Sequence, residues 1–533
     1  MPTLTWAGKE AVVNHHQKVP FHLLKDVPSL SVGDPGSGNL IVEGDNLVAL
    51  KALLPYYAGQ VKCIYIDPPY NTGNEKWVYN DNVNSPVIKK WLGQVVGDDA
   101  SDLSRHDKWL CMMYPRLVVL RKLLCEDGLI FISIDDNEAF LLKCLLDEVF
   151  DARNFVQAII WKNKYGPGAM TKGFGNVHEY IYCYSKKQLI SIEAPLSEDD
   201  ASKYKGRDSK YPVRGGFITQ PLATRSKDHR PNLIYPITHN GEEIWPDKQW
   251  IWAKDRMMQA LADDEIVVRK SKGKWSVRFK QYLKDQHGQM RMAKPISILN
   301  GPFNQDGTWE IEQLFGKKAF PNPKPVQLAK HLLSMIVNGV DGKDGLYLDS
   351  FAGSGTTGQA VLEMNQKDEG NRKFILIEMD SSIARTITSK RLEKVQTQIS
   401  NTDQSASNQG FRYCDLGPSL FDQHGAINPD VKYADLARHV YFTETGEPLP
   451  HGKPVDSPLL GISNGVAIYL LFNGILGDRR ANGGNILTRA ILAQLPPFHG
   501  QKIIYAAGCL ISEQRLRDLN IAFRQTPYEI KVT

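Results

Sequence analysis

Val61-Lys62-Cys63-Ile64-Tyr65-Ile66 runs into Asp67-Pro68-Pro69-Tyr70 and then into the polar Asn71-Thr72-Gly73-Asn74. The first six residues are rich in β-branched and aromatic side chains and predict a buried strand. It stops at a carboxylate, two prolines and an aromatic ring, so a rigid polar rim stands at the strand's C-terminal end. In open α/β sheets, ligands bind along that edge. The prolines fix φ and remove two N–H donors, which leaves the carbonyls of Asp67 and Pro68 to point outward as acceptors. An acceptor cluster beside an aromatic face suits a flat ring carrying an exocyclic amine, such as adenine or cytosine.

The flanking segments extend the same architecture. Residues 39–43 read as a short strand, which Gly44-Asp45-Asn46 turns into an amphipathic helix over 47–54. Residues 71–105 are polar with little periodicity and read as a long functional loop. Helical patterns at 108–124 and 135–150 alternate with a buried strand at 127–134. Residues 155–161 and 179–184 read as a strand pair joined by the glycine-containing stretch 165–175. The chain then divides into an N-terminal arm (1–35), a first part of the core (36–190), an irregular basic and aromatic insert (191–320), and a second part of the core (321–400). A polar linker at 400–410 leads to a separate C-terminal α/β domain (411–533).

At 533 residues the chain has room for two or three hydrophobic cores. Its composition, 42% hydrophobic and 23% charged, is that of a soluble protein. No apolar run reaches the roughly 18 residues of a membrane span, and Met1–Trp6 is not followed by a signal-peptide apolar segment. Cysteines 63, 111, 125, 144, 183, 414 and 509 form no CxxC pair, which predicts reduced thiols, a cytoplasmic location and no metal site. The net charge of +5 is small but unevenly placed: residues 161–320 hold 27 Lys and Arg against 18 Asp and Glu, with six of the ten tryptophans. Basic residues interleaved with aromatics match a nucleic-acid surface.

A second signal follows the insert. The strand Gly345-Leu346-Tyr347-Leu348 opens into Asp349-Ser350-Phe351-Ala352-Gly353-Ser354-Gly355-Thr356-Thr357, a helix follows, and the strand 373–378 ends in Glu378. A glycine-rich turn between strand and helix lets backbone amides approach a ligand, and an acid at the end of the next strand suits a ribose hydroxyl pair. The loop is not GxGxxG and lacks a Walker lysine, which disfavours nicotinamide and triphosphate ligands. Asp349 would oppose a phosphate and welcome an ammonium. S-adenosylmethionine, a nucleoside carrying an amino acid, satisfies both halves.

Together, Asp67-Pro68-Pro69-Tyr70 and Phe351-Ala352-Gly353-Ser354-Gly355 resemble the signature of S-adenosylmethionine-dependent DNA amino-methyltransferases. The tetrapeptide precedes the cofactor loop with the insert between them, an order that resembles the β class. The run Tyr65–Asn74, the Gly44-Asp45-Asn46 turn, Phe374–Asp380 and the segment after 410 resemble the modification (Mod) subunits of type III restriction-modification systems. The resemblance implies an α/β fold: a Rossmann-like class I methyltransferase with a seven-stranded, mostly parallel sheet, circularly permuted. It also implies an inserted target-recognition domain and a C-terminal domain.

By position, the resemblance assigns catalysis to Asp67, Pro68, Pro69 and Tyr70. It assigns the methionine part of the cofactor to Asp349, Phe351, Ala352, Gly353, Gly355, Thr356 and Thr357, with Lys324-Pro325 lining that side. Glu378 is expected at the ribose and Asp45 at the adenine edge. Hydrogen bonds from an exocyclic amine to the Asp67 carboxylate and the Pro68 carbonyl would free the nitrogen lone pair for in-line attack on the sulfonium methyl. The base must leave the duplex, Tyr70 would stack on it, and the 71–105 loop would cover it.

The expected activity is site-specific methylation of adenine N6 in double-stranded DNA by a homodimer that can partner a helicase–nuclease restriction subunit. An Asp at the first position resembles the adenine-specific members, while cytosine N4 stays open. So do a DNA-docking subunit with little catalysis of its own and an RNA or protein amino-methyltransferase. No Pro-Cys dipeptide is present, which argues against attack on cytosine C5. Arg207, Arg214, Arg225, Lys227 and Arg230 are candidates for phosphate or guanine contacts.

Overall fold

The strands expected from the apolar segments lie side by side in one ten-stranded sheet. The computed structural model describes residues 3–72, 104–167, 173–196, 198–225, 228–340, 342–402, 410–422, 424–450, 455–477, 484–527 and 530. The expected covering loop, 71–105, and the linker, 400–410, fall mostly outside the described residues, as does Lys227.

In chain order the strands are β1 (His22–Asp26), β2 (Leu40–Glu43), β3 (Val61–Ile66), β4 (Leu124–Ile134), β5 (Phe155–Lys162), β6 (His178–Ser185), β7 (Ile298–Asn300), β8 (Leu346–Asp349), β9 (Lys373–Glu378) and β10 (Arg412–Ser419). Their order across the sheet is β1-β10-β2-β9-β8-β3-β4-β6-β5-β7. β6 runs antiparallel to both β4 and β5, and β1 runs antiparallel to β10. Every other neighbouring pair is parallel. The C-terminal ends of β2, β9, β8 and β3 therefore share one edge.

Helices cover the sheet: α1 (Asn46–Tyr57), α2 (Arg105–Leu123), α3 (Asn304–Phe315), α4 (Val326–Leu333), α5 (Thr356–Asp368) and α6 (Ser389–Thr402). Asp45 caps α1, its Oδ1 accepting from the N–H groups of Leu47 and Val48. Ser104 and Asp107 form a reciprocal capping box that starts α2. The inner faces of α1 and α2 bury Leu47, Leu50, Leu53, Met113, Leu117 and Leu120 against Ile64, Ile66, Ile130 and Ile132. Such fully buried parallel strands read as near-continuous apolar runs, the pattern that made them legible.

Three expectations are corrected. Among the described residues the sheet has ten strands rather than seven, because β1, β10 and β7 add to its two sides. β1 lies in the stretch read as a loose arm, and β10 in the stretch read as a separate C-terminal domain. β10 satisfies the ladder groups of β2, with Tyr413 and Cys414 fully buried. The core also continues into Leu436, Val440, Ile468 and Tyr505, so the residues after 410 share the main core as well as building a second one. That second core, around Leu471, Leu487 and Ile504, is formed with a four-stranded sheet of Leu459–Ser463, Val466–Leu470, Gln501–Ala506 and Ile521–Gln525.

Residues 193–295 form a compact unit of their own, narrower than the expected insert of 191–320. It contains a three-stranded antiparallel sheet of Phe217–Pro221, Lys274–Tyr282 and Ile266–Ser271 with the helix Lys254–Ala262. Its core includes Leu222, Tyr235, Ile237, Trp250, Met257 and Val277, with Trp252 and Trp275 packed against it. These three tryptophans stabilise the unit by burial instead of forming an open aromatic surface. Arg214 pairs with Glu265 and lies 3.9 Å from the Tyr282 ring centroid. Arg225 pairs with Asp247, Arg207 stacks on Tyr211, and Arg230 is exposed.

Candidate active site

Four neighbouring strands deliver acids to one edge. β3 is followed by Asp67, β8 ends at Asp349, β9 ends at Glu378, and β2 is followed by the Gly44-Asp45 turn. Register brings them into line: Leu348 pairs with Ile64, Asp349 with Leu376, and Glu378 with Glu43. The N–H of Gly44 donates to the carbonyl of Glu378 at 3.0 Å, which ties the Asp45 turn to the end of β9.

A small cavity of about 30 Å3, open in part to solvent, lies over the ends of β3 and β8. It gathers Asp67, Lys324, Asp349, Phe351, Ala352, Gly353, Thr356 and Thr357 from the expected residues, and adds Tyr65, Phe320, Asn322, Pro323 and Ser354. The expected Asp45, Pro68, Pro69, Tyr70, Pro325, Gly355 and Glu378 do not line it.

The cofactor-loop candidate is held by its two acids. Asp349 Oδ1 accepts from the Phe351 N–H at 3.0 Å, and Oδ2 accepts from the Thr357 hydroxyl at 2.7 Å. Burial pushes the Asp349 carboxyl up to about 7, against these hydrogen bonds. Glu378 Oε2 accepts from the Gly353 N–H and Oε1 from the Asp380 N–H, both at 2.8 Å, and burial pushes this carboxyl up to about 8. Gly353 and Gly355 have φ of 51° and 82°, values that glycine adopts without the steric cost other residues meet. Thr356 donates to the Lys324 carbonyl at 3.1 Å, which joins the loop to the start of α4. The buried Arg391 of α6, which sequence reasoning missed, donates to Ser354 Oγ at 2.8 Å and Thr356 Oγ1 at 3.0 Å.

The tetrapeptide is equally constrained. The indole N–H of the buried Trp109 donates to the Pro69 carbonyl at 2.6 Å. Beyond Tyr70, Asn71 turns the chain with φ of 56° and donates to the Arg105 carbonyl at 3.1 Å and to Glu138. Lys324 closes the cluster: its Nζ lies 2.9 Å from Asp67 Oδ1 and 3.6 Å from Glu179 Oε2, and it donates to the Tyr70 hydroxyl at 2.8 Å. The Tyr70 hydroxyl in turn donates to Glu179 Oε2 at 2.9 Å. The ammonium also lies over the Tyr70 ring, 4.8 Å from its centroid. The two carboxylates hold Lys324 charged, raising its pKa against the opposing effect of burial.

Glu179 and Asn163 were also missed by sequence reasoning. Asn163 Nδ2 donates to Glu179 Oε1 at 2.6 Å and so fixes the acid that holds Tyr70 and Lys324. The signal in the sequence was a single acid inside the apolar strand His178–Ser185. Asp45 sits back from the cavity: besides capping α1, its Oδ2 lies 3.3 Å from Arg116 Nη2. His106 pairs at 2.7 Å with Glu138, the same carboxylate that accepts from Asn71 after Tyr70. Among the described residues no group of His, Cys, Asp and Glu side chains is arranged to hold a metal ion, and no helix is long and apolar enough to cross a membrane.

Comparisons with known proteins place the site in context. The sequence profile of a family described as DNA methylase matches residues 61–389, a span that includes both the tetrapeptide and the glycine loop. The chain is 35% identical to the Mod subunit of the type III restriction-modification enzyme EcoPI of Escherichia phage P1, over 98% of this chain and 89% of that one. It is 29% identical to the EcoP15I Mod subunit of Escherichia coli, over 83% and 74% of the two chains. With the type II methyltransferase M.KpnI of Klebsiella pneumoniae it shares 31% identity over 68% and 85%. Among solved structures, the PvuII cytosine-N4-specific DNA methyltransferase aligns with a TM-score of 0.33 at 14% identity, over 68% of this chain and 93% of that one.

Proposed function

From the premise that this chain belongs to the DNA methylase family, we propose that it is the modification subunit of a type III restriction-modification system. It transfers a methyl group from S-adenosylmethionine to the N6 amine of an adenine turned out of double-stranded DNA. The observation that carries this reading is the row of acids along β3, β8, β9 and β2, with Asp67 beside Asp349 on the wall of one cavity.

The residues present fit the cofactor. Asp349 is a buried carboxyl held up by desolvation, and a cationic ligand would restore its charge. The positive-φ glycines bring backbone close to the cavity. Asp349 and the 351–357 loop would hold the methionine part, Glu378 would orient the ribose, and the Asp45 turn would border the adenine. Lys324-Pro325 would line the methionine side. When bound, S-adenosylmethionine supplies an electrophilic methyl on sulfur.

The chain's own residues would do the rest by positioning. Asp67 and the Pro68 carbonyl would accept the two amine hydrogens, and Tyr70 would offer its ring to the base. Lys324 now holds the carboxylate contact expected of that amine: it touches Asp67 and donates to the Tyr70 hydroxyl. The arriving amine would take its place, leaving Lys324 to Glu179. In sequence order the tetrapeptide precedes the cofactor loop, which is the circularly permuted arrangement of the β class. The 193–295 unit would read the DNA sequence, and a homodimer with a helicase–nuclease partner in the cytoplasm completes the reading.

The test is to incubate the protein with duplex DNA and radiolabelled S-adenosylmethionine, then sequence the DNA for methylated bases. N6-methyladenine at one recurrent sequence is expected. Label on cytosine N4, or on no DNA base, would overturn the proposal.

A further inference from the structure

A second cavity, of about 530 Å3, opens beside Asn163 at the ends of β5 and β7. Its walls come from three segments: Asn163 and Tyr165 after β5, Asn176 before β6, and Phe303, Asn304 and Gln305 around the start of α3. Neither Asp67 nor Tyr70 lines it, and it shares no lining residue with the cavity over β3 and β8.

Two observations give it the character of a binding site. Asn163 is 2% exposed, and its Nδ2 is committed to Glu179. A carboxylate only accepts, so this bond fixes the orientation of the amide. Asn163 Oδ1 is then a buried acceptor with no hydrogen-bond partner among the described residues. Independently, the Tyr165 and Phe303 rings meet with centroids 3.9 Å apart, and Tyr165 remains 57% exposed. An open aromatic pair offers a stacking surface that any base can use. The surrounding carboxamides of Asn304 and Gln305 carry both donors and acceptors, the complement of base edges.

We propose that this cavity takes a nucleobase of the DNA next to the target, rather than the target itself. This rests on the function proposed above. The target amine has to meet Asp67 and Tyr70, and those residues belong elsewhere. The neighbouring base stacks on Tyr165 and donates to Asn163 Oδ1. Asn163 then links this base, through Glu179, to Tyr70 and Lys324.

The experiment uses the full chain and duplexes in which single abasic residues replace, one at a time, the target and each of its neighbours. The parent protein is compared with Tyr165→Ala and with Gln305→Ala, both changes at exposed side chains. One flanking abasic position is expected to weaken DNA binding about ten-fold in the parent. Tyr165→Ala should weaken binding to intact DNA by a similar factor, and lose no more on that abasic duplex. Gln305→Ala, read the same way, serves if Tyr165→Ala unfolds. Coupling confined to the target position would give the cavity to the target base and overturn the proposal, as would coupling at no position. Fluorescence anisotropy reads binding without methyl transfer. A parent that binds DNA but never methylates it therefore contradicts the functional reading, whereas normal methylation without coupling contradicts this inference alone.

Discussion

Lys324 Nζ lies 2.9 Å from Asp67 Oδ1, so the residue that opens the way into α4 neutralises the carboxylate of the tetrapeptide. The same ammonium faces Glu179, and all three side chains are largely withdrawn from solvent. Replacing it should leave two acids facing each other without a counter-ion. Lys324→Met is expected to lower the free energy of unfolding by roughly 3 kcal/mol and to depress methyl transfer. Denaturant unfolding checks the first effect, and a variant as stable as the parent would refute Lys324's role as counter-ion.

Asp67→Ala should separate binding from chemistry. The variant keeps the glycine loop, Asp349 and Glu378, so S-adenosylmethionine should still bind, as calorimetry would report. Methyl transfer should fall by about 100-fold or more. Activity near that of the parent would remove Asp67 from the mechanism.

Asp349 predicts a pH dependence of cofactor affinity. Its pKa in the protein is about 7, so part of the population is neutral at that pH. A cationic ligand favours the ionised form, so affinity should rise as pH increases through about 7 and then level off. Asp349→Asn should bind more weakly and lose this dependence. An affinity that falls over the same range would contradict the assignment of Asp349 to the ammonium.

The same two carboxyls set a stability trend in the ligand-free protein. Asp349 and Glu378 are raised from 3.8 and 4.5 to about 7 and about 8, so the native state binds more protons than the unfolded chain between those values. Their contribution to stability is largest below the lower values, declines as pH rises, and is flat above about 8. Thermal unfolding followed from about pH 6 to 8.5 should show the decline, and Glu378→Gln should reduce it.

A chain ended after residue 402 should not behave as an intact core with a missing appendage. It lacks β10, so the ladder groups of β2 and β1 lose their partner. Gly44, at φ 142° with a would-be Cβ 2.4 Å from Leu416, shows how closely the two segments approach. The truncated chain is expected to aggregate on expression. A soluble, cooperatively folding product would show that the remaining sheet is self-sufficient.

Much of this was readable in one dimension. The strand Val61–Ile66, the acid-Pro-Pro-aromatic rim and the glycine loop between Asp349 and Glu378 are local signals: short apolar runs, φ restriction and turn chemistry over a few residues. β10 was not readable, because Gly417, Pro418 and Asp415 break the apolar pattern and a polar linker precedes it. The tryptophans of the insert divide: Trp245 and Trp309 are more than half exposed, while others pack inward. Composition cannot distinguish a ring that faces solvent from one that fills a core, and Trp250, Trp252 and Trp275 belong to a core.

By itself the sequence determined the chemistry available: which strands are buried, where acids and glycines punctuate them, and the family to which the ordered pair of motifs belongs. Only the tertiary structure decided that Lys324, Glu179 and Asn163 join Asp67 and Tyr70. The physical reason is that parallel strand order and the reversed β6 bring distant segments to one edge of the sheet. Whether a charge on such a segment is a solvated side chain or a buried counter-ion depends on what lies opposite it in space.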